Sequence, residues 1–308
     1  MPPNKKYVEG VAEALGLSKC KPAKTPEVEA NRRTQEDSLE VLDGEWGSAF
    51  RSHACTLMYA GHDIAEAQHA IRELTCDLRE PTVSSWTRLK HTTRYLTGVQ
   101  GEGLWYPKAG NTSILHVKTD TDWAGSRVDR KSCTCYVISC GGCTLNVTSI
   151  GQSIHAQSSG EAEFYGGVSG LSAAICVRHI LSFFGFNTKI QLGSDSSAAR
   201  AVMARAGVGK IRHLEVKTLW IQELVKKNEV TVVTEKGTTN VADIGTKILN
   251  YPRIMMLKRA LGIRKFIDRH HLPEVLATTA EDTSDNTNTQ NTEQIAAIVA
   301  AVVATLHV

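Results

Sequence analysis

Ile114-Leu115-His116-Val117-Lys118-Thr119-Asp120 sets Ile114, His116 and Lys118 on one side of an extended chain and Leu115, Val117 and Thr119 on the other, then stops on a carboxylate. That alternation is the period of a β-strand. Downstream, residues 132–139 and 143–150 read as two more strands about Gly141-Gly142, a pair suited to a two-residue hairpin turn. Residues 159–184 place Ala162, Tyr165, Val168, Ser169, Ser172, Ile175 and Cys176 at helical spacing. A strand at 189–194, helices at 196–206 and 214–228, a strand at 229–234 and a helix at 239–248 follow. The order β-β-β-α-β-α-α-β-α predicts an α/β fold, a mixed sheet with flanking helices.

Upstream the pattern is mainly helical. Residues 5–16 put Val8, Val11, Ala12 and Leu15 on one face and close on Gly16. Residues 21–45 are polar and acidic and read as a loop. Helical stretches follow at about 48–78 and 83–98, separated by Pro81, with Ser84-Ser85 as cap candidates and a short strand at Leu104-Trp105-Tyr106. Trp123 reads as a core residue. Beyond 272, residues 278–293 are rich in Thr, Asn, Asp and Gln, a composition that predicts disorder.

Four acids mark the functional positions. Asp120 and Asp195 end strand-like runs, while Glu163 and Asp243 open helix-like ones. In a mixed α/β domain, strand ends and helix starts can be brought to one spot. Carboxylates so gathered repel unless a cation neutralises them, and hard oxygen ligands suit Mg²⁺ or Mn²⁺. Asp, Glu, Asp and Asp on strand, helix, strand end and helix form an arrangement for cutting phosphodiesters. Any one acid alone is ordinarily solvated surface charge. The case rests on the set.

Five ordered blocks carry a family resemblance. Thr119-Asp120-Thr121-Asp122-Trp123-Ala124-Gly125 with Arg130-Lys131-Ser132, then Ser158-Ser159-Gly160-Glu161-Ala162-Glu163-Phe164-Tyr165, Ser194-Asp195-Ser196-Ser197-Ala198-Ala199, Arg212-His213-Leu214-Glu215-Val216-Lys217 and Asn240-Val241-Ala242-Asp243-Ile244-Gly245-Thr246-Lys247 resemble the ribonuclease H domain of copia-type LTR retrotransposon Pol polyproteins. Phe50-Arg51-Ser52, Leu57-Met58-Tyr59-Ala60, Asp63-Ile64-Ala65 and Trp86 through Leu96 resemble the end of the same polyprotein's reverse transcriptase, although no Tyr-x-Asp-Asp occurs. The resemblance implies three parts: a mainly helical reverse-transcriptase C-terminal remnant (1–112), a ribonuclease H-like domain (113–249), and a basic helix with a disordered tail (250–308).

It further implies that Asp120, Glu163, Asp195 and Asp243 are the catalytic, metal-binding carboxylates. They would hold two Mg²⁺ (or Mn²⁺) ions ~4 Å apart, with Asp120 as the bridge, and cleave the RNA strand of an RNA–DNA hybrid. Arg212, His213 and Lys217 would contact the nucleic-acid backbone, with capping or packing at the start of the helix at 214–228 as the alternative. Asp122 is read as facing the other side of the strand and Glu161 as facing away from the site. The partners implied are the hybrid and, in the family, a longer polyprotein with reverse transcriptase and integrase.

Some positions depart from the family pattern. Cys135 stands where the family has Gly, Gly160 where it has Thr, His155 where it has a small apolar residue, and Gly61-His62-Asp63 where it has Arg-Pro-Asp. The rival readings are a decayed or co-opted domain that binds nucleic acid without cutting, and an interaction module using the apolar segment 295–306.

Composition is compatible with this. Hydrophobic residues are 42% and charged ones 22%, ordinary for a globular chain. Residues 113–249 hold 15 basic and 11 acidic side chains, so the segment with the acidic set is mildly basic, as a polyanionic substrate would favour. Cys133, Cys135, Cys140 and Cys143 match a zinc ligand count, but Cys133 and Cys140 would lie ~23 Å apart along a strand. Small buried hydrophobes are the better account. No leader-like run opens the chain, and the longest apolar stretch, 295–306, is short of the ~20 residues of a spanning helix. The expectation is an intracellular protein, cytoplasmic or nuclear, with no membrane partner.

Overall fold

A computed structural model describes residues 5–34, 40–106, 110–207 and 219–266. The sheet is built from β2 (Ile114–Asp122), β3 (Cys133–Cys140), β4 (Cys143–Gly151), β5 (Lys189–Ser194) and β6 (Val230–Thr234); β1 (Glu102–Leu104) stands outside it. The order is β4-β3-β2-β5-β6, with β2, β3 and β4 antiparallel and β5 and β6 running parallel to β2. Gly141 and Gly142 form the hairpin turn at positive φ, which a β-carbon would oppose. The mixed sheet is as the sequence predicts.

One face is covered by α5 (Ser159–Phe183), whose Phe164, Leu171, Ala174 and Val177 pack on Leu115, Val117 and Ile138. The approach is unusually close. A β-carbon at Gly166 would sit 2.6 Å from Thr121 Oγ1, and one at Gly170 2.9 Å from Thr119 Cγ2. Only glycine lets the helix press on β2 there, and that closeness carries Glu163 to the end of the strand. Among the described residues α5 is the helix long and apolar enough to cross a membrane; in this fold it is the layer over the sheet.

The opposite face buries Cys135, Val137 and Val147 against Val241, Ile244, Leu257 and Leu261. The last two belong to the region of α8 (Tyr251–Ala260), after which β7 (Ile263–Lys265) pairs antiparallel with β1. Between these lie α6 (Ser197–Ala204) and α7 (Trp220–Lys226).

The leading segment is helical, with α1 (Lys5–Ala14), α2 (Gly44–Gly61), α3 (Gln68–Thr75) and α4 (Val83–Val99) around Phe50, Leu57, Leu74, Leu89 and Leu96. It meets the sheet at edge strand β4. Gln68 donates to Val147 O at 2.7 Å and accepts from Ser149 N–H at 3.0 Å, pairing backbone groups that an edge leaves open.

The structure corrects four expectations. The helical stretch at 48–78 is two helices, because the chain breaks at Gly61, where a β-carbon would meet Ile71 Cδ1 at 2.6 Å. Thr82, not Ser84, caps α4, with Ser85 returning the bond in a capping box. The helix expected at 239–248 is two 3₁₀ turns, Gly237–Thr239 and Val241–Gly245. Trp123 is 45% exposed, its indole N–H donating to Ala156 O. The expected tail 278–293 and the apolar segment 295–306 lie outside the described residues.

Candidate metal centre

Asp120 lies near the end of β2 and is 2% exposed. Ser158 caps α5 by accepting from Glu161 N–H, which starts the helix so that Glu163 falls in its second turn. Glu163 Oε1 accepts from Thr121 N–H at 3.1 Å, pinning the side chain to β2. Asp195 follows the last residue of β5 and is exposed, its Oδ2 facing Gly237. One donor oxygen from each of Asp120, Glu163 and Asp195 lies within 4.8 Å of the others. Strand end, helix start and strand end therefore converge, and the trio could hold a metal ion.

Asp243 sits in the final 3₁₀ turn and adjoins Asp120, but it is held by cations of the chain itself. Lys247 Nζ lies 2.5 Å from Asp243 Oδ1 and 3.2 Å from Asp120 Oδ1. Arg253 of α8 places Nη2 2.6 Å from Asp243 Oδ2. Thr246 donates its hydroxyl to Asp120 Oδ2. Asn240 fixes the turn to β2, accepting from Ala242 N–H and donating to Thr119 O at 2.8 Å.

Charge and burial set the protonation. Burial pushes Glu163 up to about 8, with the Asp120 and Asp195 charges adding to the effect. Burial also raises Asp120, against the opposing pull of Lys247 and Thr246. Desolvation works against a charged Lys247, yet Asp120 and Asp243 carry its ammonium up to about 12. Glu163 Oε2 is buried with no hydrogen-bond partner. A buried carboxylate oxygen left without a donor is a costly arrangement for a purely structural residue.

Glu161 faces away as expected, its oxygens accepting from Gln157 N–H and Tyr165 O–H. The reading of Asp122 needs correction. Two residues beyond Asp120, it shares that residue's face by the strand period. What takes it out of the site is its place farther along β2, where Arg32 lies 3.7 Å from Oδ2. Arg212, His213 and Lys217 lie outside the described residues. Cys133, Cys135, Cys140 and Cys143 are buried and in no disulfide. Asn240 and Lys247 stand in the fifth sequence block without a role assigned to them there, and Arg253 lies outside it, with closeness to Asp243 along the chain as its cue.

Comparison with known proteins finds no matching family model. The chain is 26% identical over 267 residues to the retrovirus-related Pol polyprotein from transposon TNT 1-94 of Nicotiana tabacum, covering 84% of this chain and 20% of that protein. It is 25% identical over 268 residues to the Pol polyprotein from transposon RE2 of Arabidopsis thaliana, covering 85% of this chain and 18% of that protein. It thus spans about a fifth of the length of these relatives. A foamy virus protease–reverse transcriptase crystal structure aligns at a TM-score of 0.27 with 11% identity, over 53% of this chain and 22% of that one, too loosely to carry a fold assignment.

Proposed function

We propose that the chain, similar to the retrovirus-related Pol polyproteins of transposons, is part of a copia-type Pol polyprotein and that its acidic site is that of a ribonuclease H-like domain cutting the RNA strand of RNA–DNA hybrids. The observation that carries the reading is the convergence of Asp120, Glu163 and Asp195, one of which, Glu163, keeps a buried oxygen without a hydrogen-bond partner. The donor set is all carboxylate oxygen, which fits Mg²⁺ or Mn²⁺. The strand order of the sheet, an antiparallel three-strand meander extended by two parallel strands, supports the ribonuclease H-like assignment. On this reading residues 1–112 are the end of a reverse transcriptase, 113–249 the nuclease domain, and α8 beyond them an added support through Arg253.

The divalent ions, when bound, would activate the attacking water and stabilise the leaving 3′ oxygen. The protein's own part is to hold the ligands still. Thr246 orients Asp120, Thr121 N–H orients Glu163, and Arg253 with Lys247 orients Asp243. Asp195, exposed, stands at the mouth where a phosphate backbone would arrive. Recognition would follow the shape and 2′-hydroxyls of the hybrid rather than its bases.

The test is cleavage of a labelled RNA–DNA hybrid by the whole chain with Mg²⁺ or Mn²⁺. We expect cutting of the RNA strand, none of duplex DNA, and loss of cutting in Asp120→Asn. Glu161→Gln keeps a carbonyl acceptor for Gln157 N–H and turns its amide toward the Tyr165 hydroxyl, which can accept, so it should stay within a few-fold of wild type. Absence of metal-dependent cutting in a clean preparation would favour a domain that binds nucleic acid without cutting it.

A further inference from the structure

The four carboxylates are not equivalent. On one side of Asp120 lie the carboxylates of Glu163 and Asp195, with the Thr121 backbone N–H donating to Glu163. On the other side, toward Asp243, an ammonium already bridges the pair: Lys247 Nζ is 3.2 Å from Asp120 Oδ1 and 2.5 Å from Asp243 Oδ1. The second oxygen of Asp243 is taken by Arg253 at 2.6 Å.

The two cations differ in what holds them. Arg253 also donates to the carbonyls of Gly237 and Thr238, so its guanidinium is a fixture of the turn. The Lys247 ammonium pairs with the two acids, and its side chain is 43% exposed. A flexible stem with a compact charge can swing into solvent when a metal ion takes over the two acids it leaves.

We propose that Lys247 is a resident cation that occupies the place between Asp120 and Asp243, so that the two halves of the site load unequally. The Asp120–Glu163–Asp195 half accepts a divalent ion with its donors already gathered. An ion between Asp120 and Asp243 is admitted only when Lys247 moves out, which an arriving substrate phosphate would favour by offering the ammonium another anion. Lys247 is thus a positioning residue that ties completion of the site to substrate. This rests on the metal-site reading of the acids.

The experiment uses the whole chain with Mn²⁺ alone and no nucleic acid, counting bound ions by electron paramagnetic resonance and following the melting temperature in parallel. Wild type should bind one ion. Lys247→Met should bind a second ion in the same range, because a unit charge a few ångströms from an ion is worth roughly tenfold or more in affinity even in a well-screened site. Lys247→Arg, which restores a cation, should return to one ion. Lys247→Gln repeats the measurement if the methionine variant fails to fold. Equal stoichiometry and affinity in wild type and the neutral variants would overturn the proposal while leaving the metal site standing. If neither wild type nor any variant binds Mn²⁺, and Asp120→Asn melts as wild type does, the metal-site reading falls and this inference with it.

Discussion

Lys258→Met separates a tightly tied chain from loosely joined segments. Lys258, on α8 and 4% exposed, places Nζ 2.7 Å from Glu66 Oε1 and pairs also with Glu102. Glu66 is 3% exposed and accepts from the Tyr95 hydroxyl at 3.1 Å. Burial disfavours the ammonium, but Glu66 and Glu102 outweigh it and raise the Lys258 pKa. Methionine fits the aliphatic path and leaves Glu66 buried beside Glu102 with no cation. Breaking a buried pair from one side costs about 3–5 kcal/mol, a large part of the ~5–15 kcal/mol of a typical domain. Urea unfolding of the whole chain reads the loss as a lower midpoint. The double variant Glu66→Gln with Lys258→Met should recover most of it, since an uncharged pair needs no partner ion. A loss under about 1 kcal/mol would mean that water reaches the cluster and that the pair behaves as a surface one. Because Arg253 lies on the same helix, the same variant should also loosen Asp243 and weaken any Mn²⁺-induced rise in melting temperature.

Two further outcomes are expected. A β-carbon at Gly245 would lie 2.5 Å from Cys135 Sγ and 2.9 Å from its Cβ, so Gly245→Ala should cost about 1–3 kcal/mol; Cys135→Gly should relieve it, and thermal melts of the double-mutant cycle should give a coupling above about 0.5 kcal/mol. Without metal, Glu163 has its pKa raised from 4.5 to about 8, so its contribution is complete below 4.5 and is lost as pH rises through about 8; Glu163→Gln should flatten that decline in chelator-treated protein, and equal slopes for wild type and variant would refute the assignment.

Strands were legible because their signals are local. The residues of β5 follow from the run that ends before Asp195, and the β3–β4 hairpin from Gly141-Gly142 at positive φ. The break between α2 and α3 was not, since helical periodicity continues through it and only the packing of Gly61 on Ile71 reveals the turn. The 3₁₀ form of the last motif escaped for a similar reason. Asp243 O accepts from both Thr246 N–H and Lys247 N–H, and the tie from Asn240 to Thr119 spans much of the chain. That Asp120, Glu163 and Asp195 converge could be expected from order and residue type. What neutralises them could not: Lys247 reaches Asp120 across the fold, and Arg253 enters from α8.

The departures from the family pattern fall where the structure absorbs them. Cys135, in place of glycine, is fully buried and lies against Gly245, where there is no β-carbon to collide with its sulfur. Gly160, in place of threonine, faces Ala198, and a β-carbon there would be 2.8 Å from the alanine methyl, so α5 and α6 approach at a distance that glycine permits. His155 turns its ring toward the carbonyl of Asp129, 3.0 Å away, in the loop after the first motif. A chain drifting without constraint would leave overlaps or cavities at such sites, because packed interiors register changes of a single methyl group. Each of these three changes meets a neighbour that accommodates it, and Asp120, Glu163 and Asp195 still converge. That pattern weighs against decay of the site. It places the decisive question on Lys247: a cation fixed permanently between Asp120 and Asp243 would leave a folded but silent domain, whereas one that yields to substrate would leave a working site held shut until substrate arrives.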